Sequence, residues 1–168
     1  KGDFWTPQEW MKHIKEFFGG IDLDPCSCLE ANHRIVKAKR FIDMEENGLS
    51  EESWTENWTE PGRVWLAPPN AHFKLWIPKT ISELESGKIK ELILLSPNRK
   101  LGNKGMTKFI RKWVEASCQI EGRGLFIRED GFSKNPADDC YTLCYVGNRK
   151  EQFKEFFESR LGVSWTRG

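Results

Sequence analysis

An α/β fold, with a mostly parallel central sheet covered by helices on both faces, is predicted for this chain of 168 residues. Three observations predict it. Helical and extended patterns alternate along the chain, as βαβ units require. Leu92 to Leu95 is apolar at every position, the mark of a strand buried on both faces. Acids and paired prolines fall at the ends of predicted strands, Asp22 and Asp24 at the first and Pro68-Pro69 at a later one, where an open α/β sheet binds its ligand.

The elements follow in order. Thr6-Pro7-Gln8-Glu9 has the form of a helix start, with Thr6 as N-cap, Pro7 in the first helical position and Glu9 completing a capping box. Trp10, Met11, Ile14, Phe17 and Phe18 recur at helical spacing and give this helix one buried face. Gly19-Gly20 ends it and launches a strand, Ile21 to Leu23. The basic stretch His33 to Arg40 leads into Phe41-Ile42-Asp43, a second strand, and then into an acidic loop that carries tryptophan. Val64 to Leu66 is the strand that meets the Pro-Pro corner. Trp76, Ile77, Ile81 and Leu84 fit a helix restarted at Pro78, before the strand Leu92 to Leu95. Phe109, Ile110, Trp113 and Val114 mark the next amphipathic helix. Short strands are expected at Gln119-Ile120, Leu125 to Arg128 and Tyr141 to Val146, the late ones being candidates for antiparallel pairing. A helix carrying Phe153, Phe156, Phe157 and Leu161 closes the chain. Asn47 to Gly62 and Lys100 to Gly105 read as linkers, the second glycine-rich and basic enough for a mobile substrate loop.

Composition narrows the class. With 38% hydrophobic and 30% charged residues, the expectation is one core and one domain over residues 1–168. No G-x-G-x-x-G follows the first strand and no G-x-x-x-x-G-K-[ST] occurs, which disfavours dinucleotide oxidoreductases and P-loop enzymes. No apolar run approaches the roughly 20 residues that span a bilayer. No secretory signal precedes Phe4, and a start at Lys1 without methionine is expected of an excised domain. Cys26, Cys28, Cys118, Cys140 and Cys144 form no paired zinc framework, so they read as thiols of a reducing, intracellular compartment, with no metal expected. Cys26 and Cys28, which flank Ser27 just after Asp24-Pro25, are expected to line a pocket rather than to hold a metal. The net charge of +1 hides an asymmetry. Phe41 to Glu60 holds seven acids and no Lys or Arg, whereas Asn98 to Trp113 holds six bases and no acid. Arg99, Lys100 and Lys104 in the basic segment are candidates for a phosphate backbone; the competing reading is the solvated face of a helix.

The chemistry centres on Val64-Trp65-Leu66-Ala67-Pro68-Pro69-Asn70. Two adjacent prolines have fixed φ and no N–H, so they make a rigid corner whose carbonyls are left to accept hydrogen bonds. An exocyclic nucleobase amine is a poor nucleophile because its lone pair is delocalised into the ring. Acceptors on its hydrogens favour the pyramidal form that attacks. On the dipeptide alone, an ordinary Pro-Pro loop is the better reading.

Company changes the balance. Trp5-Thr6-Pro7, Asp22-Leu23-Asp24-Pro25-Cys26, Asn47-Gly48-Leu49, Ala67-Pro68-Pro69-Asn70, Leu94-Leu95-Ser96-Pro97 and Gly122-Arg123-Gly124-Leu125-Phe126 follow one another. In this order they resemble the motifs of the phage-type (Dam-like) DNA adenine-N6-methyltransferase family, from about Phe4 to Val146. The resemblance implies a Rossmann-like, S-adenosylmethionine-dependent methyltransferase fold and methyl transfer to the exocyclic amine of a flipped adenine. By it Trp5, Thr6, Pro7, Asp22, Asp24, Pro25 and Cys26 would hold S-adenosylmethionine, while Ala67, Pro68, Pro69 and Asn70 would form the catalytic base pocket. His72, Arg99, Lys100, Lys104 and Arg123 would touch nucleic acid, DNA in the first place and RNA as the alternative. So short a chain has little room for a separate target-recognition domain, so a short or loosely read target, or a partner subunit, is expected; self-association through the aromatic face of the closing helix is the alternative to its packing on the sheet.

One departure stands out. Where the family has Asn or Asp followed by Pro-Pro and an aromatic residue, this chain has Ala67 and Asn70. Ala67 has no acceptor and Asn70 no large π face. An engineered replacement, a silent relative kept for binding or scaffolding, and a divergent site in which backbone carbonyls suffice all remain open. Loss of one preorganised polar group costs about 10² to 10³ in rate, so weak or no turnover is expected. Cytosine-N4 methylation is the chemically adjacent alternative.

Overall fold

The structure, a computed structural model, describes residues 4–128, 137 and 139–168. Among the described residues seven strands form the main sheet: β2 (Leu23–Asp24), β3 (Arg40–Phe41), β4 (Gly62–Leu66), β5 (Ile89–Pro97), β6 (Ala116–Ile120), β8 (Tyr141–Val146) and β9 (Gly162–Thr166). Their order is β3-β2-β4-β5-β8-β6-β9. The first four are mutually parallel, and β8 is antiparallel to both its neighbours, β5 and β6. β9 closes the edge antiparallel to β6. A separate ribbon pairs β1 (Phe4–Trp5) with β7 (Ile127–Arg128), so the expected strand at Leu125 to Arg128 is shorter and leaves the main sheet.

Alternation along the strands divides the core into two. Trp65, Ile93, Leu95, Leu143 and Tyr145 face α1 (Gln8–Phe18) and α5 (Lys150–Glu158), with Ala31 of the short α2 (Leu29–Ala31) in the same layer. Val64, Leu66, Leu92, Leu94 and Cys144 face α3 (Phe73–Glu85) and α4 (Lys104–Trp113). Because successive side chains point to opposite faces, a strand apolar at every position feeds both layers. The predicted doubly covered, mostly parallel sheet is therefore the one observed.

Several details correct the sequence reading. Thr6 caps nothing: Pro7 occupies the N-cap position without a side-chain bond, the helix begins at Gln8, and Thr6 is buried. Pairing of β1 with β7 holds the preceding residues in an extended ribbon, and the capping box does not form. Helix α3 does not restart at Pro78 but runs through it. Pro78 and Lys74, whose carbonyl loses its partner, lie on the exposed face, while Phe73, Trp76, Ile77 and Leu84 are buried on the sheet. The closing helix stops at Glu158, and β9 follows it. That strand is hard to read because its alternation is inverted, with Ser164 buried and Val163 and Trp165 exposed. Neither expected linker is one. Trp54 and Thr55 are buried, with the Trp54 indole donating to the Gly48 carbonyl at 2.8 Å. Asn98–Lys100 is a 3₁₀ turn and α4 starts at Lys104, which leaves little of the proposed mobile loop.

One buried ion cluster ties the layers together. Glu91 is fully buried in β5, accepts from Arg63 Nε at 2.6 Å and Arg149 Nε at 2.8 Å, and takes the Tyr145 hydroxyl as well. Burial pushes its carboxyl up, but the bonds from Arg149, Tyr145 and Arg63 outweigh this and hold it below the ordinary value. Glu91→Ala should cost about 3 kcal/mol, read from the urea midpoint at pH 7, because it leaves two guanidinium groups without their partner. In the parent chain this contribution is present above the unfolded glutamate pKa and fades as pH falls through the lower folded value.

Candidate active-site cavity

The strand order reverses direction between β2 and β4. From β2 the chain crosses to β3 on one side, then returns to β4 on the other. The crevice beyond the carboxyl ends of such a pair is where open α/β sheets bind ligands. A cavity of about 890 Å³ lies there.

Its first wall comes from β2 and the turns after β2 and β3. Asp24 ends β2 and is 2% exposed; its Oδ1 accepts the Cys26 N–H at 3.1 Å. Burial raises the Asp24 carboxyl to about 7, against the opposing pull of hydrogen bonds from the Cys26 N–H and the Ser27 side chain. Pro25, Cys26, Ser27 and Cys28 continue this wall, with Asp43 and Met44 beside them. The Asn47-Gly48-Leu49 turn closes it. Asn47 is left-handed at φ 65°, and its Oδ1 accepts the Leu49 N–H at 3.0 Å. Gly48 is required on different grounds: a Cβ there would lie 2.2 Å from the Pro25 carbonyl and 2.7 Å from the Trp76 ring.

The second wall is the Pro-Pro corner. Ala67, Pro68, Pro69, Asn70 and His72 all line the cavity, with Trp65 and Leu95 at its floor. The Asn70 carboxamide donates to the Tyr141 hydroxyl at 3.0 Å. Tyr141 opens β8 opposite Pro97, and its ring lies 4.9 Å from Phe126 and 6.0 Å from Trp10. Trp5, Thr6, Phe126 and Arg128 bring the terminal ribbon over the same space, and Arg99 reaches it beside Asp139, 3.9 Å from that carboxylate.

Of the residues singled out for a cofactor, Trp5, Thr6, Asp24, Pro25 and Cys26 share this cavity, while Pro7 and Asp22 do not line it. Asp22 has a structural job instead: its carboxylate accepts the Arg63 N–H at 2.8 Å and pairs with Lys39 at 3.3 Å. Of the nucleic-acid candidates, His72 and Arg99 line the cavity; Lys100, Lys104 and Arg123 lie outside the lining. The later part of the basic segment turns away, since α4 carries Lys112 back to pair with Glu85 at the far end of α3. Sequence reading missed Asp43, Phe126 and Tyr141 as cavity residues. Asp43 could have been found by the rule that located Asp24, an acid following a strand. No disulfide joins the five cysteines. Among the described residues no metal-binding cluster occurs, and no helix is long and apolar enough to cross a membrane.

Comparison with known proteins bears on the family and the fold. The profile of the family described as DNA N-6-adenine-methyltransferase (Dam) matches residues 1–140. The chain is 27% identical to a DNA N-6-adenine-methyltransferase of Escherichia phage T1 over 97 residues. That match takes in 57% of this chain and 37% of the phage protein, so the chain spans well under half of that relative's length. Its fold is similar to that of the 23S rRNA methyltransferase ErmE, with a TM-score of 0.54 over 88% of this chain and 70% of ErmE at 11% identity.

Asp24 gives this cavity a pH signature. Its folded pKa lies above the unfolded one, so the folded chain holds the extra proton between about pH 4 and pH 7 and loses stability as pH rises through that window. Asp24→Asn should leave stability near pH 4 almost unchanged. At pH 8 it should add on the order of 4 kcal/mol, measured by urea unfolding at both values.

Proposed function

This chain belongs to the DNA N-6-adenine-methyltransferase (Dam) family, and from that premise we propose that it transfers a methyl group from S-adenosylmethionine to the exocyclic amine of an adenine swung out of DNA. The observation that carries the reading is a single cavity walled by Asp24–Cys26 on one side and Ala67–Asn70 on the other. Neighbouring parallel strands deliver the two walls, so two ligands bound there would meet over the strand ends.

The first wall fits the cofactor. A carboxylate buried against the cavity, with lone pairs left after the bonds from Cys26 and Ser27, suits a cationic amino-acid group. Asp43 offers acceptors for sugar hydroxyls, and Leu49, Pro25 and Trp76 offer apolar surface to an adenine ring. About 890 Å³ falls within the range of small-molecule sites and leaves space beside the cofactor for a base. S-adenosylmethionine, when bound, supplies a methyl group on a sulfonium centre.

The chain's own residues do the positioning. The Pro69 carbonyl already accepts the His72 N–H at 3.1 Å, so the Pro68 carbonyl is the backbone acceptor that takes the adenine amine and localises its lone pair for in-line attack. A nitrogen–carbon bond forms as the carbon–sulfur bond breaks, the electron pair stays with sulfur, and the surplus proton passes from nitrogen to water. No side-chain nucleophile is required. Arg99 and His72 hold the substrate's phosphates at the mouth, with Lys100 and Lys104 extending that surface. The acidic turn at Asp43 to Glu46 favours the cationic cofactor over DNA on its side. A DNA substrate in turn implies an intracellular setting.

Ala67 favours a second reading, a silent relative that binds without turnover, because its side chain has no acceptor to offer. One experiment separates the two. The chain is mixed with S-adenosylmethionine carrying a labelled methyl group and with unmethylated DNA, the DNA is digested to nucleosides, and cofactor binding is followed by calorimetry. Binding together with label in N6-methyladenine is the expected result. Binding without transfer supports the silent relative, label in N4-methylcytosine reassigns the base, and absence of cofactor binding rejects the methyltransferase reading. Asp24→Asn should weaken cofactor binding roughly tenfold at pH 8 through loss of the charge, a difference that shrinks below pH 7.

A further inference from the structure

Resting on the methyltransferase reading, we infer that the acceptor absent at position 67 has moved three residues along the corner: the Asn70 carboxamide oxygen, aimed by the Tyr141 hydroxyl, is the side-chain group that holds the target amine. Three observations meet here. Ala67, half-buried and packed against the apolar core, brings no polar atom to the cavity. Asn70 lines the same cavity, and its Nδ2 donates to the Tyr141 hydroxyl at 3.0 Å. Its Oδ1 makes no hydrogen bond among the described residues and is not fully buried.

An amide has one donor end and one acceptor end on a single plane. With the NH₂ engaged at the Tyr141 hydroxyl, the oxygen is the end left for a ligand. The fixing group is itself rigid. Tyr141 is 6% exposed, starts a strand in register with Pro97, and has its ring held by Phe126 and Trp10. The oriented carbonyl is thus preorganised, which is the condition for it to act on the reacting nitrogen rather than to adapt to it.

Such an acceptor also selects. An exocyclic amine donates to it, whereas the keto oxygen that guanine or thymine presents at the equivalent edge would set acceptor against acceptor. Asn70 is then a catalytic residue and Tyr141 a positioning residue.

The test uses the whole chain with S-adenosylmethionine and an adenine-containing DNA, comparing Asn70→Ala, Asn70→Asp, Tyr141→Phe, Ala67→Asn and the double change Asn70→Ala with Ala67→Asn. Asn70→Ala should lower kcat at least about 100-fold with cofactor affinity unchanged. Asn70→Asp, which keeps an acceptor, should stay within about tenfold of the parent chain. Tyr141→Phe should cost about tenfold in kcat with KM little changed. The double change should recover most of the loss, because it returns an acceptor to position 67. A purely structural Asn70 would show lowered stability in Asn70→Ala and no rescue by Ala67→Asn, and that outcome overturns the inference. So does a parent chain that binds cofactor but transfers nothing, whether or not Ala67→Asn alone is active. Absence of cofactor binding by every variant rejects the methyltransferase reading itself, a separable failure.

Discussion

The parallel docking of β2 against β4 is the constraint on which the cavity depends. Only Leu23 and Val64 are formal ladder partners, and Asp22 makes up the difference. Its backbone N–H donates to the Arg63 carbonyl at 2.9 Å while its carboxylate receives the Arg63 N–H at 2.8 Å. A side chain standing in for a backbone acceptor extends the pairing by one position at the entry of both strands. The consequence reaches the far ends of both strands, where Asp24-Pro25 and Pro68-Pro69 arrive side by side. Asp22, which reads from the sequence as a ligand residue, serves the site by aligning the strands that build it.

A second dependency runs through the sheet beneath. Glu91 gathers Arg63 from β4, and Tyr145 and Arg149 from the end of β8 and the approach to α5. Arg149 also donates to the Phe17 carbonyl at the end of α1 and lies over the Phe17 ring at 4.1 Å. One buried carboxylate thus locks the central strands to the helices on one face. At the opposite end of the sheet β5 ends at Pro97 beside Tyr141, and there the strands are left to serve the cavity rather than the core.

Asp24 illustrates what such a site costs. A carboxylate taken out of water with only partial compensation weakens the folded chain at neutral pH, and nothing in the packing requires an acid there. The same burial strengthens any interaction between this carboxylate and a cationic ligand, because water no longer screens it. The Asn47-Gly48-Leu49 turn has a comparable logic: the approach of its backbone to Pro25 and Trp76 closes the wall and leaves no room for a side chain at Gly48.

The sequence by itself determined the fold class, the two-faced packing of the central strands and the order of the site motifs. These are local properties: periodicity at Trp10 to Phe18, unbroken apolarity at Leu92 to Leu95, and rigid corners at Asp24-Pro25 and Pro68-Pro69. Motif order also carried the family, since it survives where single residues such as Ala67 and Asn70 depart. What only tertiary structure decided involves partners distant in the chain. The buried Thr6, the switch of Ile127–Arg128 to a ribbon with Phe4–Trp5, and the addition of β9 at the sheet edge each depend on a surface supplied from elsewhere. The same holds at the site. Pairing of Asn70 with Tyr141 spans 71 residues, and Asp22 holds Arg63 across 41. No spacing rule reaches that far, because such contacts arise when strand order, not chain order, makes two residues neighbours.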